Sequence, residues 1–537
     1  MKRPAIRTLI SLLVLSTAEA APPPSWPYWP EYAKTPAHQV RAQEWKTVDH
    51  VIDGWDWSLP PEVKPAPNGL LAVYRTSNIQ HPLDKKIKSL DLPVNTSLDL
   101  WVKWRDLEPA EGQYRFDLLR ERISEADRAG CAVVLRVLSS ATIFAPEWLA
   151  EKGIPLLEEK GKDKPKVTNY DIAHPEFHKR YLLLVENLGK SGIPRIEALK
   201  GSYVGYASPS YGDEGIGPHG ENPDSVPHVI ARLDAWAHAF EGVEHKVFMG
   251  GISQHGLGLG FGTRRGFVEM YLYHIPSSEI GQTVDGQGYL FVDDSVDLLK
   301  RGAFHGEENE EYEEGWATAK RGFRFGKNTD SFTYRYFVSN LRTLQMQCNH
   351  VLMNPFSIYP EQMVWVGQSL GKKVEDSPDI WCALRESHIR RIGPVKNMER
   401  WLYQRDTPGF ETTPDVKIEH PVKMWMAEPD KHFDHIARKG QQIGFAVDDR
   451  WAAGKPVDIA LKVTYFDKGM GDVDIAVGTS GGNVTRQIKL TNDGKLKTAT
   501  FFINDAVFPA KKMDYDITFK ATADEAVLSF VRIIRLQ

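Results

Sequence analysis

Cysteine is scarce, with three residues in 537, at positions 131, 348 and 382. An odd count without close spacing excludes a disulfide framework and a cysteine zinc site, and buried, inert thiols are expected. Beyond the amino-terminal leader there is no run approaching the roughly 18 to 20 apolar residues of a membrane-spanning helix. Charge of one sign is missing too: 66 lysines and arginines face 71 aspartates and glutamates, a net of -5, with the signs interspersed. That balance offers no general surface for nucleic acid. The histidines form no His-x-x-x-His pattern and no His/Asp cluster with zinc spacing, so no catalytic metal is expected, and the chemistry argued below needs no organic cofactor. Internal repeats and long low-complexity tracts are absent.

What is present begins with Met1-Lys-Arg-Pro-Ala-Ile-Arg7, an apolar stretch around Leu9–Leu15, and Ala18-Glu-Ala20. This reads as a secretory signal peptide over residues 1–20, so a secreted or periplasmic protein is expected. The length exceeds what one core usually supports, which predicts two domains. A Pro- and Trp-rich segment spans 21–66. Over 67–400 eight candidate strands recur: Leu70–Tyr74, Leu98–Lys103, Ala132–Val137, Tyr203–Tyr206, Lys246–Gly250, Tyr289–Val292 (or Phe267–Tyr273), Ala303–His305 and Val351–Asn354. Amphipathic stretches such as 116–129, 175–188, 225–240 and 331–347 separate most of them. Strands alternating with helices predict parallel βαβ units, and eight predict a (β/α)8 TIM barrel. From 401 to 537 the period falls to two, with turns such as Asn492-Asp-Gly494, which predicts a smaller antiparallel β-sandwich accessory domain.

Two segments end apolar runs in glutamates: Tyr203-Val-Gly-Tyr-Ala-Ser-Pro-Ser-Tyr-Gly-Asp-Glu214 and Ala303-Phe-His-Gly-Glu-Glu308. Two carboxylates at a barrel mouth can break a glycosidic bond, one protonating the leaving oxygen while the other attacks the sugar carbon. The fifteen tryptophans suit that chemistry, since indole faces stack on sugar rings, although most are expected to pack the core.

The stretch Leu100-Trp-Val-Lys-Trp-Arg-Asp-Leu-Glu-Pro-Ala-Glu-Gly-Gln-Tyr-Arg-Phe-Asp117 resembles the strand-two exit of clan A glycoside hydrolases. Val133-Val-Leu-Arg-Val137 and Ala145-Pro-Glu-Trp-Leu149 also resemble that clan, particularly its β-galactosidase family forty-two branch. The resemblance implies an acid/base at the end of strand four and a nucleophile at the end of strand seven. Glu214 takes the first position, although Asp213 stands where the clan usually has Asn, and Glu221-Asn222 is the alternative pair. Glu307 or Glu308 takes the second. Arg136, Trp148, Tyr211, His219, Asn222, His255, Arg264 and Trp316 are the candidate cleft residues. The loop Gly256-Leu-Gly-Leu-Gly-Phe-Gly262 lacks the Lys-Ser/Thr of a phosphate cradle and is read as a flexible loop, with Arg264-Arg265 beside it read as surface charge first and as a contact to an acidic or sulfated sugar second.

The expected activity is retaining hydrolysis of a plant or algal polysaccharide or its oligosaccharides, best of all a β-galactoside. A non-catalytic glycan-binding barrel and a polysaccharide lyase using Tyr211, His255 and Arg264 are the alternatives.

Overall fold

The computed structural model describes residues 42–83, 85, 87–88, 91–158, 168–205, 215–218, 221–267, 281–309, 329–353, 360–419, 431, 433–509 and 515–536. Eight parallel strands close a barrel: β1 Leu70–Thr76, β2 Thr96–Lys103, β3 Ala132–Leu138, β4 Leu199–Val204, β5 Val247–Gly250, β6 Gly262–Phe267, β7 His305–Asn309 and β8 His350–Met353. They pair in chain order, and β8 closes on β1. Period two sorts their side chains. On β2, Leu98, Leu100 and Val102 join the outer core, while Asp99 and Trp101 face the lumen; on β3, Val133, Leu135 and Val137 point out and Val134 and Arg136 in. Helices α1 (Phe116–Arg128), α2 (Pro175–Lys190), α3 (Pro227–Ala239), α4 (Thr329–Gln345) and α5 (Pro360–Ser369) form the outer layer. Helix α2 starts at His174, whose ring nitrogen accepts from the Glu176 amide, followed by Pro175 with its preset φ. Its Phe177, Tyr181, Leu184, Val185 and Leu188 face inward at helical spacing.

The barrel expected from sequence is present, with three strands differently placed. Strand four begins earlier, at Leu199. Strand six is Gly262–Phe267; Tyr289–Val292 instead contributes Leu290–Val292 to a hairpin with Gln282–Val284, and Phe267–Tyr273 shares only Phe267 with the true strand. Gly-Thr-Arg-Arg-Gly-Phe carries no apolar alternation because its lumen side is crowded: a Cβ on Gly262 would lie 1.6 Å from the Phe304 carbonyl oxygen. The segment read as a flexible loop is partly ordered into the short helix Gln254–Gly258 before β6 begins. Strand seven starts where its expected counterpart ended, so Glu307 and Glu308 lie within β7 and not beyond it.

A large antiparallel sheet follows. It contains Val457–Phe466, Asp472–Thr479, Leu496–Ala506, Ile517–Ala521 and Ala526–Arg535, and also Asp379–Ile389 and Gly393–Arg400. The amino-terminal strand His50–Asp53 pairs with Leu496–Ala506. Strands far apart in the sheet order share one interior, with Ile380, Leu402, Ile443, Leu461, Ile475, Phe519 and Ile533 packed together, so the sheet folds back on itself. A second core joins this domain to the barrel. There Trp57 stacks on Trp55 and Trp365, with ring centroids 4.9 and 5.0 Å away, beside Phe337, Trp381 and Phe530. All three cysteines are buried and none is in a disulfide.

Candidate active site

The barrel lumen has an apolar floor of Leu70, Val134, Tyr203, Phe248 and Phe304, with the Phe248 and Phe304 rings stacked at 4.3 Å. Phe304 fits because β4 offers Gly201, whose missing Cβ would lie 2.6 Å from that ring. Polar residues are interleaved with that floor: Asp99 is in register with Val134, Arg136 with Tyr203 and His350 with Leu70. Asp99 and Trp101 come from β2, Arg136 from β3, Arg264 from β6 and His350 from β8, around a cavity of about 20 Å³, the room one water takes.

The two guanidiniums meet aromatic faces. Arg136 lies 4.5 Å from the centroids of both Trp101 and Tyr203, Arg264 lies 5.7 Å from Tyr203, and Arg75 at the rim lies 4.7 Å from Trp101. Arg264 Nη1 also reaches the Tyr203 hydroxyl at 3.5 Å. Asp99 stands 3.6 Å from His350 Nε2, both buried, an ion pair whenever the imidazole is protonated. His350 further abuts β7: a Cβ on Gly306 would lie 2.9 Å from its Nδ1. On the same strand the backbones of Glu307 and Glu308 pair with Val351 and Leu352, and the register with β6 slips between Gly306 and Glu308. Such a bulge re-aims the chain beside a site. The side chains of Glu307 and Glu308 lie outside the described residues, as do Tyr211, Glu214, His219 and Trp316 in full.

Among the other sequence candidates, Arg136 and Arg264 line the lumen. Trp148 does not. Its Nε1 donates to the Glu108 carbonyl at 3.1 Å and its ring meets Trp104 edge-on, bracing the β2 exit. His255 pairs with Asp234 of α3 at 2.6 Å, outside the lumen. Asn222 is exposed and caps a short turn by accepting from the Asp224 amide, and Glu221 is exposed beside it. Asp99, Trp101, Tyr203, Phe248 and His350 were not among the candidates. The alternation within β2 was the one signal that could have found Asp99 and Trp101, since they sit opposite Leu98, Leu100 and Val102.

The Glu-Pro motif at the β2 exit is structural. Glu108 is buried, accepts from Trp104 Nε1 at 2.7 Å and from the Gly112 amide at 2.8 Å, and so pins the turn into α1. Burial pushes its carboxyl above the ordinary range, against the pull of those two donors. Among the described residues no three histidines, cysteines or carboxylates gather to hold a metal ion, and no helix is long and apolar enough to cross a membrane.

No curated protein sequence matches the chain. Among solved structures, it is similar to the exo-β-1,4-mannosidase Op5Man5 from Opitutaceae bacterium strain TAV5, at 15% identity and TM-score 0.22, covering 33% of each chain. It is also similar to endo-glycoceramidase II from Rhodococcus sp., at 10% identity and TM-score 0.30, covering 82% of this chain and 99% of that one. With the β-galactosidase from Rahnella sp. R3 it shares 12% identity at TM-score 0.23, covering 47% and 45%. The chain thus spans only a third of the length of the mannosidase. The family model that matches is that of the family forty-two β-galactosidases, over residues 91–190, the stretch from just before β2 through α2 that carries the motifs resembling that family.

Proposed function

We propose that this protein is an exported retaining glycosidase whose best substrate class is the β-galactosides of plant or algal polysaccharides and their oligosaccharides. The observation that carries the reading is the coincidence of the β-galactosidase match at residues 91–190 with two glutamates on the last barrel strand but one, where the resemblance implies the nucleophile. Glu307 or Glu308 attacks the anomeric carbon and forms a glycosyl-enzyme. Glu214, in the segment after β4, protonates the leaving oxygen and then takes a proton from the incoming water. The retaining reading expects the two carboxyl groups to stand about 5 to 5.5 Å apart.

Aryl β-galactosides test the reading. An aryl galactoside with fluorine at C2 and a good leaving group should add one glycosyl mass to the peptide holding Glu307 and Glu308. Glu214→Ala should slow hydrolysis of a natural glycan by about 10²–10⁴-fold, yet slow that of an activated aryl glycoside much less, because a good leaving group needs little protonation. Equal losses on both substrates would remove Glu214 from the acid's role. Of the residues the lyase alternative would use, Arg264 lines the lumen, His255 is paired with Asp234 outside it, and Tyr211 lies outside the described residues.

A further inference from the structure

Leu70 and Phe304 of the lumen's apolar floor also line a second cavity, at the amino-terminal ends of the strands and so at the mouth opposite the one where barrel enzymes hold their chemistry. It measures about 240 Å³ against about 20 Å³ for the lumen, room for on the order of a dozen water-sized groups, the size of one hexose. Its walls are the starts of five strands: Asn68 before β1, Lys200 in β4, Lys246 before β5, Phe304 before β7 and Asn349 before β8. Hydrogen bonds fix the base. Asn349 Oδ1 accepts from the His305 amide at 2.9 Å and its Nδ2 donates to the Ala303 carbonyl at 2.9 Å, while the Phe304 amide donates to the His245 carbonyl at 3.2 Å and ties the start of β7 to that of β5. Such a cavity is preformed.

The charged groups of the lining are already engaged with the protein. Lys200 pairs with Glu197 at the rim, and the buried Lys246 donates to the carbonyls of Pro194 at 3.2 Å and Ile196 at 3.1 Å. An anion entering here would meet the Glu197 carboxylate and have to displace it from Lys200. A hydroxyl meets no such opposition, because it accepts from an ammonium while donating to a carboxylate. Resting on the glycosidase reading for the choice of sugar, we propose that this cavity is a second saccharide site, which takes one neutral hexose at the mouth opposite the catalytic one. Glu197 and Lys200 offer an acceptor and a donor side by side, Asn68 adds an amide from the β1 side, and Leu70 gives the C–H face of the ring an apolar contact.

Calorimetric titration of the full chain with galactose, together with a crystal of it soaked in galactose, tests the site. The wild-type protein should bind the sugar, and density for it should stand between Lys200 and Asn68. Asn68→Trp and His245→Trp lie at exposed positions beside β1 and β5, on opposite sides of the eight-stranded barrel, and fill the cavity from its rim. Each should weaken this binding on the order of tenfold or more, the worth of one hydrogen bond to a charged group, while kcat and KM on an aryl galactoside stay as they are. The soaked crystal keeps the test open if a variant does not fold. No galactose density in the cavity, a titration that either folded variant leaves unchanged, or inorganic phosphate bound there in place of galactose overturns the proposal; the last would make the cavity an anion site. Galactose binding that both variants weaken, in a chain that hydrolyses no glycoside, would sink the enzyme reading alone, whereas hydrolysis of an aryl galactoside with this cavity empty would sink the second site alone.

Discussion

Single atoms decide how close the strands of the lumen come. Gly262 and Gly306 stand on the neighbouring strands β6 and β7, and an added methyl would have different effects at the two. At Gly262 it meets the Phe304 backbone at 1.6 Å, so Gly262→Ala must push β6 from β7 and should cost about 3 kcal/mol, the upper end for overpacking. At Gly306 the nearest atom is in a side chain, His350 Nδ1 at 2.9 Å, and the His350 carbonyl oxygen at 3.2 Å has to give only by a few tenths of an ångström. Gly306→Ala should therefore lower the melting temperature less, while displacing the residue next to Glu307 and reducing kcat on an aryl galactoside more than it reduces stability. Comparable thermal losses for the two variants, with kcat intact in Gly306→Ala, would show that His350 does not set the position of β7. At this scale the sequence was only partly legible. Arg136 could be placed because it interrupts Val133-Val-Leu-Arg-Val137, a strand whose apolar neighbours fix its facing. His350 could not, because nothing local marks a histidine beginning β8 as facing Asp99 across the lumen.

At the scale of elements, legibility followed apolar contrast. Strands β2 and β3 and helices α1 and α2 bury one face against the other layer, so period two and period 3.6 both showed in the sequence. Strand β6 did not show, since its inward positions are a glycine forced by a backbone contact and an arginine. The β2 exit was legible as a motif but not as a mechanism: Glu108 acts through Trp104 and Gly112, not on a substrate. Glu108→Ala leaves the buried Trp104 Nε1 unanswered, while the exposed Gly112 amide can turn to water, and should cost about 1 to 3 kcal/mol, read by denaturant unfolding. In the sheet domain, Asp467 closes the turn after Val457–Phe466. Burial pushes its carboxyl up, but the Lys497 ammonium at 2.5 Å, the Thr491 hydroxyl and the amides of Thr491 and Asn492 outweigh that and hold it at about 2, below the ordinary 3.8. The folded pKa lies under the unfolded one, so the contribution is complete above about pH 4 and disappears as pH falls toward 2. It amounts to about 2 kcal/mol at neutral pH. Asp467→Asn should remove that acid-side slope from a pH series of melting temperatures; an unchanged slope would show that this carboxylate is not its source.

For the molecule as a whole, the barrel and the sheet are not independently sealed. The core holding Trp57, Phe337, Trp365, Trp381 and Phe530 takes residues from the amino-terminal segment, from α4 and α5, and from the sheet strands Asp379–Ile389 and Ala526–Arg535. A buried ion pair reinforces the same arrangement. Lys462 reaches Asp56 at 2.5 Å and Ser58 at 2.7 Å, which ties the segment before β1 to the sheet. A chain ending near residue 400 would thus uncover an aromatic wall on the barrel's outer helices, and it should be insoluble even if all the chemistry lies before it. A substitution tests the coupling more sharply than truncation does. Phe530 is 3% exposed and contacts Trp55, Trp57, Phe337, Trp365 and Trp381. Phe530→Ala should cost about 3 to 5 kcal/mol. Because the cavity opens in a shared core, calorimetry should show one transition moving down as a unit, with whatever glycosidase activity the barrel has lost at the same temperature as sheet structure. A barrel transition left in place while a second one falls would show that the sheet is an appendage, and that the aromatic wall contributes little to holding the catalytic barrel together.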